Sequence, residues 1–338
     1  MTRMTTKAAA RYEVVTLGEP LLRLSPPGRC QLRRASSLDL YVVGSQLNVA
    51  ANLARLGRRT AFLTKLPDNP LGLLALDACR SYGIDVSRIQ LVPGGKMGVT
   101  YVEFSASPRA PRAVYDRAGS AASTLAAADF QWDALLAEAA CVYTDGILPG
   151  LSAGCREATH AFITAGKRQG CLTCFDVNYR EHLWTPAAAR EAWTRLLPSV
   201  DVLVTNRGVS EGVFGYQGSD AELMRRFAGE FGCRVVCFTS REMDGVERGA
   251  WNGQALVDNA IVQGERCTFD IVDRYGTGDA WFSGFLHAYL ERGDTAFALN
   301  FGNAMCALAH TIEGDVAHLS PKDVKAVMGG AVDLRVKR

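Results

Sequence analysis

Residues 273–281 read DRYGTGDAW, and an apolar stretch with helical spacing follows them directly. Gly276 and Gly278 flank Thr277 and allow a tight turn, in which consecutive N–H groups point at one anionic oxygen where a helix begins. Asp279 then falls in the first helical turn, where the helix dipole favours an ionised carboxylate that can take the proton of an attacking hydroxyl. The stretch therefore predicts an anion cradle with a general base. The alternative is a glycine-rich turn in which Asp279 only caps the helix.

The composition is that of a globular chain long enough for one large domain or two average ones. The chain has 338 residues, with 37 Lys and Arg against 35 Asp and Glu, and the formal net charge is +2. This balance gives no sign of a surface for nucleic acid, and no apolar run approaches the length of a membrane span. We expect a cytoplasmic protein in which residues 1–11 form a disordered tail.

Short apolar runs alternate with helical patterns along most of the chain. Residues 14–18 predict a buried strand that ends at a glycine. The next predicted elements are a helix, a strand and a helix, over residues 48–56, 60–65 and 72–82, and later strands are predicted over residues 141–145, 172–176, 202–205 and 234–239. Because apolar strands joined by helices are typical of parallel sheets covered on both faces, the pattern predicts a doubly wound, mostly parallel α/β sheet.

Residues 97–114 have a different texture, with alternating β-branched and aromatic residues that predict an antiparallel hairpin inserted in this domain. Ligands of doubly wound sheets bind at the carboxyl ends of the strands. The polar residues expected at those ends are Asp145, Asp176, Asn178, Asn206 and Thr239.

Several motifs together resemble the ribokinase-like, or PfkB, family of carbohydrate kinases. Residues 273–279 match the family's D-T-x-G-A-G-D pattern, with Thr277 in place of the alanine. Further matches lie at residues 18–19, 22–27, 44, 48–57 and 65–72. More narrowly, the chain is similar to the 2-keto-3-deoxygluconate kinase branch at residues 114–121, 175–184 and 310–315.

The resemblance implies a ribokinase-like fold in a single catalytic domain over residues 12–330. It implies a small β lid, formed by about residues 20–44 and 96–118, that pairs with a second subunit in a homodimer. It also implies ATP as the phosphoryl donor, Mg2+ bridging the phosphates, and Asp279 as the catalytic base. The anion hole is implied to comprise Gly276, Thr277 and Gly278.

The resemblance also implies binding residues for each substrate. Those for the sugar acid are Gly44, Asn48, Tyr101, Tyr115, Arg117, Arg180 and Asp279, and those for the nucleotide are Asn206, Thr239, Gly276, Gly278 and Asn303. Two arginines suit a sugar acid better than a neutral sugar, because guanidinium groups grip carboxylates through paired hydrogen bonds. The alternatives are an ion pair of Arg180 with Glu181, a solvated Arg117, and hairpin packing for Tyr101.

Two departures from the family pattern bear on these roles. Val43 stands where the family usually has a glycine, so its side chain could crowd a sugar hydroxyl. The family's N-x-x-E motif, whose glutamate arranges the water shell of the metal, has Val209 in the glutamate position. Glu211 is the candidate replacement, although it lies about 200° further around a helix. Arg241, in a segment similar to the branch's T-L-R-E loop, is either a phosphate contact or an exposed loop arginine.

The sequence therefore predicts a kinase that transfers the γ-phosphoryl group of ATP to the 6-hydroxyl of 2-keto-3-deoxygluconate. One alternative is a kinase of the same fold acting on a neutral sugar, such as fructose or ribose, or on a nucleoside. Another is a non-catalytic sugar or nucleotide sensor. The missing glutamate motivates the sensor, and the intact cradle weighs against it.

Overall fold

The computed structural model describes residues 10–329, so most of the predicted tail and position 330 of the predicted domain lie outside the described residues. The strands are β1 (Tyr12–Leu17), β2 (Leu21–Ser25), β3 (Asp39–Val43), β4 (Thr60–Leu63), β5 (Lys65–Pro67), β6 (Gln90–Val92), β7 (Gly98–Glu103), β8 (Arg112–Asp116), β9 (Ala139–Asp145), β10 (Leu172–Asp176), β11 (Val202–Thr205), β12 (Val235–Asp244), β13 (Arg248–Val257), β14 (Ala260–Gln263) and β15 (Cys267–Asp270). The α-helices are α1 (Ser45–Arg55), α2 (Pro70–Tyr82), α3 (Trp132–Leu136), α4 (Ala153–Arg168), α5 (Pro186–Leu196), α6 (Arg207–Gly212), α7 (Asp220–Phe231), α8 (Thr277–Arg292), α9 (Thr295–His310) and α10 (Pro321–Val327). Within residues 10–329, no helix is long and apolar enough to cross a membrane.

Nine strands form the large sheet, in the order β14-β13-β12-β11-β10-β9-β1-β4, with β15 paired to β13. The six strands from β12 to β4 in this order are parallel, and β13, β14 and β15 add an antiparallel end. β1 lies between β4 and β9, with Val15 opposite both Ala61 and Val142. The sheet therefore extends in both directions from β1, which confirms the predicted doubly wound, mostly parallel arrangement.

Helices cover both faces of this sheet and form two apolar layers with it. One layer includes Phe162 and Trp193, and the other includes Phe285 of α8. Full burial of an aromatic side chain such as Phe285 contributes about 1.5–3 kcal/mol to folding. Helices α8 and α9 approach closely at two glycines. A Cβ atom built on Gly284 of α8 would lie only 3.1 Å from the Cα atom of Gly302 in α9. This packing fixes α8, the helix that begins at the predicted cradle.

A small four-stranded sheet, in the order β3-β2-β7-β8, stands beside the large one. β7 and β8 pair antiparallel, as predicted for residues 97–114, while β2 pairs parallel with β7 and antiparallel with β3. Arg23, Thr100 and Tyr115 lie opposite one another across three strands and face the large sheet. Because side chains alternate between the two faces of a sheet, the next residue along β8, Val114, points outward and is 56% exposed.

Candidate active site

The predicted anion cradle opens helix α8. Gly276 has a φ angle of +68°, in the left-handed region, immediately before Thr277, the first helical residue. A Cβ atom on Gly276 would lie 2.2 Å from the carbonyl oxygen of Asp315, so only glycine allows this close approach of two backbone segments. No side chain of residues 10–329 caps this helix, and its first N–H groups lack partners within it. Together with the positive end of the helix dipole, these groups favour an anion.

The Asp279 carboxylate contacts helix α1 instead of capping its own helix. Ser45 Oγ donates a hydrogen bond to Asp279 Oδ1 at 2.7 Å, and Asn48 Nδ2 donates to Oδ2 at 2.7 Å. Burial raises the pKa of Asp279 to about 8, in opposition to these two hydrogen bonds. This direction runs against the expectation of a carboxylate held ionised by the helix dipole, because desolvation disfavours the charged form. A pKa close to neutral pH suits a group that must accept a proton.

The raised pKa of Asp279 predicts a pH dependence. If Asp279 is the base, only its ionised form is active, so kcat/KM for the sugar should rise with pH and level off above about 8, the pKa of this carboxyl. Below that value the rate constant should fall about tenfold per pH unit, in proportion to the ionised fraction. Steady-state assays at saturating MgATP measure the profile. A profile that stays flat from about pH 6 to about pH 9 would contradict the assignment.

The cradle lines a cavity of about 940 Å³, together with residues of both the large and the small sheet. The predicted residues that line it are Gly44, Asn48, Tyr115, Arg117, Arg180, Asn206, Thr239, Gly276, Thr277, Gly278 and Asp279. Position 44 requires glycine, since a Cβ atom there would lie 2.4 Å from the carbonyl oxygen of Glu19. Val43, which departs from the family pattern, also lines the cavity, beside residues predicted to bind the sugar such as Gly44 and Asn48.

Tyr101 is not among the residues that line the cavity, contrary to the prediction. Its neighbour in β7, Thr100, faces the cavity and lies opposite Tyr115 of β8. Successive side chains of a strand point to opposite faces, so Tyr101 lies on the outer face of the small sheet. The two-residue period was visible in the sequence, but the face that meets the cavity was not.

Asn303 and Glu211 also fall outside the cavity. Asn303 is fully buried in α9, where it accepts a hydrogen bond from Trp281 Nε1 at 2.8 Å and donates one to the carbonyl oxygen of Glu265 at 2.7 Å. In this structure the Asn303 side chain therefore makes structural contacts, to Trp281 and Glu265, and does not face the cavity predicted to bind the nucleotide. The Glu211 carboxylate lies 2.8 Å from Arg207 on the outer side of α6, whereas Val209 faces the cavity. Glu211 thus does not take the position of the missing glutamate.

The two predicted sugar-acid arginines differ in their partners. Arg117 is buried and forms an ion pair with Glu19, with Nε 2.9 Å from the carboxylate and Nη2 on the same oxygen. Arg180 is exposed at the cavity rim and donates to the carbonyl oxygen of Tyr179 at 3.3 Å. Its guanidinium forms no ion pair with the carboxylates of residues 10–329, so the alternative pairing with Glu181 is not observed. The charge of Arg180 acts on Asp145 and Asp176, where it lowers the pKa of each carboxyl against the effect of burial, but its guanidinium remains open to an anionic ligand.

Arg23 is a cavity residue that the sequence analysis did not single out. It is 1% exposed, and its Nη1 and Nη2 atoms lie 2.5 Å from Asp315 and 2.8 Å from Asp273. Burial raises the pKa of Asp315 to about 6, although Arg23 pulls it down. Arg23 therefore ties the small sheet to the cradle loop. Its partners are 250 and 292 residues away, so no local pattern could have revealed these ion pairs.

A pair of carboxylates lies at the strand ends, where polar residues were expected. Asp145 of β9 and Asp176 of β10 lie opposite each other in register. Asp145 accepts hydrogen bonds from Asn178 Nδ2 and the Ile147 N–H, each at 2.9 Å. Asp176 lines the cavity, and burial, with the nearby Asp145 charge, raises its pKa to about 7. The cavity thus holds a carboxyl that a cation would readily ionise.

The fold and cavity agree with comparisons to known proteins. Residues 13–322 match the pfkB family of carbohydrate kinases, and the chain belongs to that family. The chain is 35% identical to a 2-dehydro-3-deoxygalactonokinase of Haloferax volcanii, over 94% of this chain and 97% of that one. It is 30% identical to a 2-dehydro-3-deoxygluconokinase of Thermoproteus tenax, over 95% of each chain. The crystal structure of a 2-dehydro-3-deoxygluconokinase from Thermotoga maritima superimposes with a TM-score of 0.90 at 31% identity, covering 95% of this chain and 99% of that one. The chain is thus a carbohydrate kinase similar to 2-dehydro-3-deoxygluconokinases.

Proposed function

We propose that the chain transfers the γ-phosphoryl group of ATP to the 6-hydroxyl of 2-keto-3-deoxygluconate. One observation supports this most strongly: the same cavity is lined by the cradle with Asp279 and by Arg180, an exposed guanidinium that forms no ion pair with a carboxylate of residues 10–329. An acidic sugar can place its carboxylate on Arg180 and its terminal hydroxyl at Asp279. The names of the relatives, which are kinases of 2-dehydro-3-deoxy sugar acids, point to the same substrate class.

In this proposal, Asp279 orients the attacking hydroxyl and accepts its proton. The hydroxyl oxygen forms the new bond to the γ-phosphorus while the bond to the bridging oxygen of ADP breaks. The N–H groups of Gly276, Thr277 and Gly278 meet the negative charge of the transferring group, and the helix dipole acts in the same direction. Catalysis is otherwise a matter of holding the two substrates in line.

The residues of the cavity fit Mg2+ that arrives with the nucleotide. Residues 10–329 contain no group of three or more His, Cys, Asp or Glu side chains that could hold a metal ion. Mg2+ usually keeps several waters and binds through one or two carboxylates together with substrate phosphates, and Asp176 is a carboxyl that lines the cavity. Asp176 is the carboxyl we propose to face Mg2+, because it lines the cavity at the end of β10. Bound Mg2+ would neutralise phosphate charge during transfer.

Release of ADP with a panel of acceptors tests the proposal. The panel contains 2-keto-3-deoxygluconate, 2-keto-3-deoxygalactonate, 2-ketogluconate, fructose, ribose and adenosine. We expect a clear preference for the 2-keto-3-deoxy acids. Preference for a neutral acceptor would overturn the proposal and favour the alternative, a neutral-sugar kinase, which gains some support because Glu19 already neutralises Arg117.

Replacing Arg180 by glutamine should weaken binding of the acid selectively. A charge-assisted hydrogen bond contributes about 1.5–3 kcal/mol, so the KM for the keto-acid should rise roughly 10- to 100-fold. Turnover at saturating keto-acid and the KM for ATP should change little. The matched control is R190Q, at an exposed arginine of α5 outside the cavity. An R180Q enzyme with an unchanged KM for the keto-acid would contradict the assigned role.

We further propose that the protein works in the cytoplasm, where ATP is abundant. We also propose that the small sheet forms a homodimer interface. The outer surface of that sheet and its flanking loop expose Leu38, Leu40 and Val114, which are 38%, 43% and 56% exposed. Leu40 and Val114 belong to the two edge strands of this sheet, and apolar side chains exposed across one surface are typical of association surfaces. A monomer in sedimentation equilibrium at micromolar concentration would rule out the dimer.

A further inference from the structure

Arg241, whose role the sequence left open, lies beside the cradle. Its Nη2 atom donates a hydrogen bond to Thr277 Oγ1 at 2.8 Å, and the residue lines the same cavity as the cradle. The Thr277 hydroxyl donates in turn to the carbonyl oxygen of Arg274 at 3.1 Å, so its lone pairs remain available to the guanidinium. The family pattern has alanine at the position of Thr277. This contact therefore depends on a side chain that distinguishes the chain from that pattern.

The Arg241 guanidinium is also without a compensating negative charge. It forms no ion pair with the carboxylates of the described part of the chain, and its Nε atom is buried without a hydrogen-bond partner. Trp251 packs against it, with the ring centroid 5.1 Å from Cζ. Burial lowers the pKa of Arg241, and the charges of Arg274 and Arg180 act in the same direction. A half-buried cation that lacks a carboxylate partner is unfavourable by itself, which suits a site that an anion enters.

We propose that Arg241, held in place by Thr277, contacts the transferring phosphoryl group and stabilises its charge in the transition state. This inference rests on the proposed phosphoryl transfer. The bond between the γ-phosphorus and the β–γ bridging oxygen breaks, the bond to the sugar hydroxyl oxygen forms, and the proton passes to Asp279. Arg241 supplies positive charge and hydrogen bonds only, and it is unchanged at the end. The Thr277 side chain acts through Arg241 and has a positioning role, separate from that of the Thr277 N–H in the cradle.

The variants R241Q and R241K test the contact. We expect kcat to fall about 10²- to 10³-fold in R241Q, as for loss of one donor to a transition-state oxyanion. The KM for the sugar acid should stay the same, and R241K should recover part of the loss. The matched control is R248Q. Arg248 is an exposed arginine of β13, the strand that pairs with β12, and its guanidinium lies 3.0 Å from Asp270. We expect R248Q to match the wild type.

Binding without sugar gives a readout that does not require turnover. The wild type should bind MgADP with aluminium fluoride, a mimic of the transferring group, more tightly than MgADP alone, and R241Q should lose this gain while its affinity for MgADP stays the same. An equal loss of both affinities would overturn the assignment to the transferring group. Because no sugar is present, this result is independent of whether the proposed acceptor is correct.

Thr277 is tested by T277A, which restores the family's residue and keeps the backbone donors. We expect kcat to fall about tenfold, the effect of losing one hydrogen bond to a charged group. T277S should restore it. In the R241Q background T277A should have no further effect, because residues that act through one another give non-additive changes. Full additivity of the two substitutions, or normal turnover in R241Q, would overturn the proposal.

Discussion

Replacing Asp279 by asparagine should lower kcat by about 10²- to 10⁴-fold, the usual contribution of a positioned general base. Asparagine has almost the same shape, so the two hydrogen-bond partners Ser45 and Asn48 can keep their places. It has no pKa in the working range and cannot accept the proton of the sugar hydroxyl. Turnover is measured as ADP release at saturating substrates. Near-normal turnover in D279N would rule out Asp279 as the base.

The matched control is D294N, at the N-terminus of the neighbouring helix α9, where Asp294 accepts a hydrogen bond from the Phe297 N–H at 3.1 Å. Asparagine caps helices about as well as aspartate, so turnover should not change. Stability gives a second check. The folded-state pKa of Asp279 is raised to about 8, well above its unfolded value, so wild-type stability should fall as pH rises from about 4 to about 8. D279N lacks this loss and should have the higher Tm at pH above about 8, with the difference vanishing near pH 4.

Replacing Arg23 by methionine should lower the free energy of unfolding by about 3–5 kcal/mol, the cost of breaking a buried ion pair by removing one partner. Arg23 is the shared partner of Asp273 and Asp315, and methionine would leave both carboxylates without a cation. The change would also free the small sheet from the cradle loop. Urea unfolding at neutral pH measures the effect. A loss below about 1 kcal/mol, the range of exposed pairs, would contradict the account of this cluster.

The control for this prediction is R248M, because the pair of Arg248 with Asp270 is exposed, with side chains 71% and 75% accessible. The charge argument also predicts a rescue. Neutralising one unpaired carboxyl by D315N in the R23M background should recover part of the lost stability. Acid should act in the same way, since the pKa of Asp315 is already raised to about 6 and protonation removes the unpaired charge. If R23M destabilises equally at pH about 5 and about 8, lost packing rather than charge explains the effect.

The sequence was most informative where local chemistry decides the structure. The apolar runs and glycine stops predicted the strands at residues 172–176 and 202–205 with the bounds that β10 and β11 have. Gly276 of the cradle is required by a close backbone contact that a Cβ atom would break, whereas a Cβ atom on Gly278 would meet no atom within 4 Å. The resemblance to the PfkB family added residues from distant parts of the chain, such as Asn48 and Arg180, that do line one cavity.

The failures concern properties that only the folded chain defines. Which face of β7 meets the cavity depends on how the small sheet docks, so Thr100, for which no role was predicted, lines the cavity and Tyr101 does not. Asn303 was predicted to bind the nucleotide by resemblance alone. In the folded chain it is fully buried and forms hydrogen bonds with Trp281 and Glu265. The protonation of Asp279 depends on desolvation by residues from several elements, which no local pattern contains.

The central claim is that Asp279 and the cradle direct a phosphoryl group to the terminal hydroxyl of an acidic keto-sugar. Phosphorus NMR of the product formed from 2-keto-3-deoxygluconate and MgATP tests it most directly. We predict a new phosphomonoester signal coupled to the two protons of C6, which forms with the wild type and not with D279N. A phosphorus signal coupled to another position, or ADP formation without any phosphorylated sugar, would contradict the account.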